Sequence, residues 1–485
     1  MNDKKDLTVK EAFDLAIQNH QNNNLQEAQN YYQKVLRIDS SHLGAHYNLG
    51  NNFAQLGEHQ KAKDCYEKAI AINPNYTDAY NNLGNIFKLL TEHQKAKDCY
   101  EKAIEIDPNY ADAYNNLGNV FNALGENQKA ISCYEKTIEI DPSNVNALNS
   151  LYALYVSTLD NLEKSIDLSY KVQKIYLRKS TFIDQSVPLF RLKHDAQQAN
   201  YLYSKNYKIN GIDEFIKISS EILDRNENKE NEGNYNKKIL LTPDEIAALL
   251  PFYKSDCTYK SKIISGGFIN PNKNWKDVED KYFNSSNQII YIDDFLSDDA
   301  LRELREFCLV SKVWNREYVD KYLGAFSYRG FISPIHLQIA IELKKKLPKL
   351  FGPHNLTNLW GFKYDSTLGK GINIHADFAI HNLNFWITPD EYNNNKNSGG
   401  LKVYDVLPPE DWTTSDYNGY NAKKKIYQFL ENNNAKCVNV PYKFNRAVLF
   451  NSAYFHETDE IDFKDEYEGR RINTTYLFGH RNRRV

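Results

Sequence analysis

Residues 372–377 read INIHAD, and the chain returns to AYFHET at 453–458. In an extended segment, residues two apart project on one face, so His375 and Asp377 can address a single ion. His456 follows the strand-like run RAVLFNSAYF, 81 residues beyond His375. Two imidazoles and one carboxylate on one side of a metal leave the opposite positions open, which suits Fe(II) working on O2 and a second exogenous ligand. An H-x-D alone is a weak signal in a chain with 12 His and 63 acidic residues. Its surroundings strengthen it. EGRRINTTYLFG (468–479) carries Arg470 and Arg471, and a guanidinium there can grip the far carboxylate of a dicarboxylate bidentately. Tyr364, in WGFKYDSTLGKG, can add a hydroxyl to the same carboxylate.

These residues need strands to position them. From about 286 the runs NLWGFKYD, LNFWITP, GGLKVYDV, KCVNVPY, RAVLFN and RINTTYLFG are β-like and separated by Gly, Pro and Asn. Short strands of this kind point to a double-sheet jelly roll rather than a parallel α/β sheet. NQIIYIDDFLSDDALRELREFCL reads as a strand, a turn and a helix capped near Ser297, and HLQIAIELKKKLPKLFG as a second helix. EYNNNKNSGGL is a connecting loop closing on Gly399 and Gly400. Asn384 and Trp386 are candidates to line the pocket, and Trp386 is equally a core candidate. His354 and His381 lack a partner at ligand spacing and are assigned to the surroundings of the site or to the surface.

The first third has a different logic. Residues 42–75, 76–109 and 110–143 repeat with a period of 34, with Pro74, Pro108 and Pro142 in register. Gly50, Gly84 and Gly118 are also in register, as are Ala62, Ala96 and Ala130. Small residues let two helices approach, proline ends the second, and neither helix pair can bury its apolar face without stacking on the next. The pattern resembles the tetratricopeptide repeat in its aromatic, Leu-Gly, Ala, aromatic and Pro positions. Weaker copies flank it at 7–41, with Ser40 where proline is expected, and from 144 onward. Asn48, Asn82 and Asn116 share one repeat position, and Asn51, Asn85 and Asn119 another three residues on. Residues three apart on a helix share a face, and an Asn amide both donates to and accepts from peptide backbone. These two ladders are similar to those in the repeat domain of O-linked sugar transferases, a likeness that implies a peptide groove; the Asn-rich composition of duplicated repeats is the competing explanation.

The remaining features are plainer. Thr242 followed by Glu245 forms a capping-box pattern, RNENKENEGNYNKK (225–238) a polar linker, and His194–Asp195 a surface pair on a helix. The 485 residues carry a formal charge of −3, with 41% hydrophobic and 25% charged residues. That balance suits a soluble protein of two or three domains and gives no reason to invoke nucleic acid. No apolar run is long enough for a membrane span, and MNDKKDLTVKEAF lacks the apolar core of a signal peptide, so a cytoplasmic location is expected. The six cysteines form no C-x-x-C pair; Cys65, Cys99 and Cys133 are read as small apolar residues of the repeats.

The stretch 286–485 resembles the 2-oxoglutarate- and Fe(II)-dependent dioxygenases of the prolyl-hydroxylase type. It is similar above all to the bacterial group in which such a domain follows tetratricopeptide repeats. GINIHADFAIHNLNFWITPDEYN, SGGLKVYDV, NRAVLFNSAYFHET and RRINTTYLFG carry the resemblance. It implies iron at His375, Asp377 and His456, with 2-oxoglutarate as co-substrate, O2 as oxidant and ascorbate in a supporting role. The family's co-substrate arginine is followed two places later by a small polar residue, which favours Arg471 with Asn473 over Arg470 with Ile472. The gap of 15 residues from His456 to Arg471 is longer than the usual spacing.

The expected architecture is therefore multidomain. An all-α tetratricopeptide solenoid spans 1–177 with clear repeats at 42–143, a helical connector spans 178–285, and a double-stranded β-helix (jelly roll) with flanking helices spans 286–485. The expected function is hydroxylation of a protein or peptide held in the repeat groove. The alternatives are an interaction scaffold with a non-catalytic jelly roll, and an oxygenase for a small metabolite.

Overall fold

The computed structural model describes residues 7–158, 185–226, 238–318 except 263 and 265, 322–365, 371–419 and 422–481, with scattered positions between 164 and 175. Residues 227–237 of the polar linker expected at 225–238, and most of the part beyond 158 of the repeat copy expected from 144, lie outside the described residues. The chain forms two compact units, 1–154 and 155–485.

The first unit is built of helix pairs: α1 (Val9–Gln21) with α2 (Leu25–Ile38), α3 (Leu43–Gln55) with α4 (His59–Ile72), α5 (Thr77–Leu89) with α6 (His93–Ile106), and α7 (Ala111–Ala123) with α8 (Asn127–Ile140). Helix α9 (Val145–Thr158) follows. Within a pair, a tyrosine of the second helix lies flat on a glycine of the first. A Cβ at Gly50, Gly84 or Gly118 would stand 2.6–2.7 Å from the ring of Tyr66, Tyr100 or Tyr134. Ala62, Ala96 and Ala130 are fully buried. The second helix ends in an Asx turn at each proline, with Asn73, Asp107 and Asp141 side chains accepting from the N–H two residues on. Asp39 makes the same turn with Ser41, so the first copy keeps its stop signal although Ser40 replaces proline.

The second unit contains a seven-stranded and a three-stranded sheet, both antiparallel throughout. The strands, in chain order, are β1 (Ser186–Pro188), β2 (Lys238–Leu240), β3 (Ile289–Ile292), β4 (Arg316–Tyr318), β5 (Tyr322–Phe326), β6 (Leu356–Tyr364), β7 (His381–Trp386), β8 (Leu401–Tyr404), β9 (Cys437–Val440), β10 (Ala447–Asn451), β11 (Phe455–Thr458) and β12 (Ile472–Phe478). The large sheet runs β3-β10-β7-β12-β6-β5-β4 and the small one β11-β8-β9, while β1 and β2 pair apart. Both sheets feed one apolar cluster, with Phe362, Trp386 and Phe450 from the large and Leu401, Val403 and Val440 from the small.

Helices cover this framework. α10 (Leu189–Ser204), α11 (Ile212–Asp224) and α12 (Pro243–Lys254) come from the segment expected as a connector, and α13 (Trp275–Asn284), α14 (Asp298–Val310) and α15 (Pro334–Lys346) follow. The capping box of Thr242 with Glu245 and the Ser297 cap of α14 are both formed. α10 is bound into the unit, Gln198 donating to the Leu309 carbonyl and Arg191 to that of Trp314. The expectation that His194 and Asp195 form a surface contact is incorrect: they are 1% and 2% exposed. Arg191, one turn earlier, pairs with Asp195 at 2.7 Å, Tyr253 donates to the same carboxylate at 2.8 Å, and His194 Nδ1 approaches it at 2.9 Å. Burial opposes the Asp195 charge, but Arg191 and His194 outweigh it and hold the carboxyl below its usual value.

Thr91 tests the turn geometry of the first unit. It sits at φ 60°, where Gly57 and Gly125 occupy the equivalent turns at 75° and 74°. A β-branched residue is strained there, so Thr91→Gly is expected to raise stability by about 0.5–1 kcal/mol, read from the urea midpoint of the full chain.

Candidate metal centre and its cavity

The three residues singled out by spacing meet. His375 and His456 exchange backbone hydrogen bonds, His375 N–H to the His456 carbonyl at 3.0 Å and the reverse at 2.8 Å, as an isolated antiparallel pair. Their rings lie 4.3 Å apart, centroid to centroid. Asp377 N–H donates to the Ser452 carbonyl just past β10, at 3.0 Å. Asp377 Oδ1 stands 3.9 Å from His375 Nε2 and Oδ2 3.4 Å from His456 Nε2. The ligand atoms all fall within 4.8 Å of one another. Ligands about 2.1 Å from a shared metal stand about 3 Å apart when adjacent, so the two Asp377–histidine separations need to close by less than about 1 Å. His456 lies within β11 rather than just beyond a strand, since 455–458 pairs with β8.

The tautomers are set by the backbone. His375 Nδ1 lies 2.8 Å from the Asn373 carbonyl, and His456 Nδ1 lies 2.9 Å from the Tyr454 carbonyl. Each Nδ1 must be the donor, so each Nε2 keeps a lone pair aimed at Asp377. This is the outer support that metal-binding histidines need. Asn382, on β7, donates to Asp377 Oδ2 at 2.9 Å, and the Phe450 ring packs edge-on against His456. Burial pushes His375 down to about 4, with His456 acting in the same direction. For Asp377 burial works upward, but the facing His456 and His375 imidazoles and the Asn382 amide hold it below the ordinary carboxylate value.

The centre opens into a small cavity that also receives Tyr364, Asn384, Thr458, Arg471, Asn473 and Thr475. Arg471 is 1% exposed. It donates to the Gly399 carbonyl at 2.6 Å, the Gly400 carbonyl at 3.4 Å and Asn473 Oδ1 at 3.3 Å. Gly399 has φ +81°, and a Cβ on Gly400 would meet the Val440 carbonyl at 1.9 Å, so this turn admits only glycine. Arg471 also lies 4.8 Å over the Tyr364 ring. No carboxylate pairs with it among the described residues, and burial pushes it below the ordinary arginine value. Arg470 points to the opposite face, reaching Gln197 at 2.8 Å and Asp365 at 3.5 Å.

Further polar atoms in and beside the cavity lack partners among the described residues: Asn382 Oδ1, Asn384 Oδ1 and Trp386 Nε1, at alternate positions of β7. Buried polar atoms are rarely left so unless a ligand or water completes them. Asn382, Thr458 and Thr475 were missed in the sequence, although Asn382 and Asn384 alternating with Leu383 and Phe385 was the available signal. His381 instead contacts Tyr282, 3.2 Å from its hydroxyl, and its ring lies 5.3 Å from that of His354.

In the first unit, the six asparagines are all partly exposed. Asn51, Asn85 and Asn119 accept from the Tyr66, Tyr100 and Tyr134 hydroxyls at 2.7, 2.8 and 2.8 Å. Asn82 donates to Asn51 at 3.0 Å and Asn116 to Asn81 at 3.0 Å. The carbonyl side of one ladder thus fastens the helix pairs together.

Residues 19–42, 44–76 and 78–143 match the tetratricopeptide repeat family. The first unit is a tetratricopeptide-repeat solenoid, a fold for protein–protein interaction. Among solved structures, MamA is 27% identical over 35% of this chain and 98% of its own, with a TM-score of 0.33. YrrB, described as a repeat protein with an unusual peptide-binding site, is 25% identical over 35% of this chain and 86% of its own, with a TM-score of 0.30. A thermophilic repeat protein of Thermus thermophilus is 19% identical over 34% of this chain and 89% of its own, with a TM-score of 0.29. No curated protein matches the sequence. No helix among the described residues is long and apolar enough to cross a membrane.

Co(II) titration followed by visible absorption tests the centre. One ion per chain is expected, with His375→Ala, Asp377→Ala and His456→Ala each weakening binding at least about a hundredfold, beyond the usual effect of losing an outer partner. His354→Ala and His381→Ala should leave it intact.

Proposed function

We propose that the second unit is a 2-oxoglutarate- and Fe(II)-dependent dioxygenase whose two sheets form a jelly roll, and that it hydroxylates a protein recruited by the solenoid. The observation that carries this reading is a two-histidine, one-carboxylate set sharing a cavity with a buried arginine that has no carboxylate of its own. The donor set suits Fe(II): three ligands on one side, two of them imidazoles of fixed tautomer. The cavity residues suit the co-acid, with Arg471 placed to take its far carboxylate and Tyr364 beside it. Bound iron, with 2-oxoglutarate and O2, supplies the oxidising power, and the co-acid leaves as succinate and CO2.

The chain's own residues then bind, orient and exclude. Gly399, Gly400 and Asn473 hold the Arg471 guanidinium in one orientation. Trp360, Phe362, Leu401 and Ile372 wall the cavity with apolar surface, which keeps water from competing for the open positions. No general acid or base is required of the side chains. The count of charges favours the same pair of ligands. Asp377 and Arg471 cancel each other, so a dication alone or a dianion alone would leave the buried cavity unbalanced, whereas both together restore neutrality. Each should therefore strengthen the other's binding.

Two experiments test the reading. Purified protein with Fe(II), ascorbate and air should convert 2-oxoglutarate to succinate slowly without added substrate, and His375→Ala should not. If neither turnover nor anaerobic Fe(II)·2-oxoglutarate binding is seen, the second unit is a non-catalytic partner of an interaction scaffold. Turnover of a small metabolite that survives deletion of the solenoid would replace the protein substrate. In the anaerobic binding assay, Arg471→Gln should weaken 2-oxoglutarate about a hundredfold, the value of charge-assisted hydrogen bonds in a buried site. Arg470→Gln should leave the affinity unchanged.

A further inference from the structure

A second concavity meets the metal centre from outside. It is an open groove, and of the three ligand residues only His375 lines it. His375 is also the most exposed of the three side chains, at 23% against 8% for Asp377 and 4% for His456. The groove therefore reaches the centre along the His375 side, while Arg471 lies in the inner cavity. Its charged lining is of one sign. Arg316, on edge strand β4, and Lys423, on the helix Ala422–Asn432, border it, and no acidic side chain does so among the described residues.

The two cations are available. The Arg316 guanidinium lies 4.9 Å over the Tyr318 ring and 5.4 Å over that of Phe326. It has no ion-pair partner among the described residues, and its planar fork of donors suits a carboxylate. Lys423 donates to Asn373 Oδ1 at 3.2 Å, which leaves further ammonium donors. That bond also joins Lys423 to the residue whose carbonyl orients His375. The aromatic lining argues against nucleobases. Tyr318 has Tyr322 stacked on one side at 4.4 Å and 10°, and Arg316 lies over its ring as well. Asn373 and Asn418 line the same wall, and their amides suit an extended peptide backbone.

We infer that this groove binds an acidic peptide segment, so that the residue to be oxidised is flanked by Asp or Glu side chains held by Arg316 and Lys423. The inference rests on the oxidation reading of the His375 centre, because it assigns the groove to the substrate.

The test uses the full-length chain without iron or 2-oxoglutarate. Fluorescence polarisation would follow a labelled peptide of alternating Glu and Gly, its Gln counterpart and a labelled oligothymidylate. The Glu peptide should bind, weaken with salt, and lose about tenfold in affinity in each of Arg316→Glu and Lys423→Glu. The two substitutions lie on different elements, so a folding defect in one leaves the other informative, with circular dichroism as the check. Equal binding of the Gln peptide, no binding of the Glu peptide, or binding indifferent to both reversals would overturn the inference. Tighter binding of the oligothymidylate, abolished by the reversals, would overturn it in favour of nucleic acid. Co(II) titration on the same sample separates the two levels. Peptide binding without Co(II) binding would sink the oxidation reading and leave the ligand class of the groove standing.

Discussion

The second unit is organised around one pair of hydrogen bonds, the reciprocal exchange between His375 and His456. It is not part of a long ladder. The segment 372–377 forms a single bridge to β11 of the small sheet, and two residues later Asp377 N–H is bound at the end of β10 of the large sheet. A stretch of six residues thus spans the place where the sheets meet. Alternation does the rest. His375 and Asp377 face the cavity, while Ile374 and Ala376 join a second apolar cluster with Tyr417, Ile426 and Phe455. The ligand face is held open because the opposite face is buried against helices, and the side-chain period of an extended chain leaves no intermediate arrangement.

The same period explains the adjacent arginines. Arg470 and Arg471 precede β12 by two and one residues, so their side chains must diverge. One enters the cavity shared with His375, Asp377 and His456; the other joins Asp365 and Gln197 beneath α10. A slip of one residue between β11 and β12 would exchange them. The long excursion between these strands is anchored against such a slip. Tyr467 donates to the Leu309 carbonyl at 2.6 Å and Asp465 pairs with Lys193 at 3.0 Å.

Much of this was legible in the sequence, for reasons that differ by element. The 34-residue period gave the solenoid, because each copy repeats the same glycine, alanine and proline contacts. Alternating apolar runs gave β3, β6, β7, β8, β9, β10 and β12. The edge strand β4 and its neighbour β5 were not read, and the groove beside His375 went unseen with them. His194 and Asp195 looked like a surface pair because sequence does not reveal that a helix is covered on both sides. The asparagine periodicity was visible, but the tyrosine hydroxyls that Asn51, Asn85 and Asn119 accept lie 15 residues further on in each repeat, a contact that only the folded helix pair makes.

Two buried polar groups flank the large sheet, and their degree of saturation separates them. Around Asp195 the neighbours already supply what the charge needs: a guanidinium, a phenol and an imidazole, all from helices of the same unit. Three atoms there have no hydrogen-bond partner among the described residues: the Lys363 amine, His194 Nε2 and Arg470 Nη2. The Lys363 amine rests 3.7 Å over the Tyr467 ring, and burial drives it far below the ordinary lysine value. Around Asp377 the situation is reversed. Imidazole lone pairs, two amide oxygens and a guanidinium without a carboxylate all border the same cavity. The Asp195 cluster neutralises its charge from its own side chains, whereas the Asp377 cavity gathers amide oxygens without partners among the described residues.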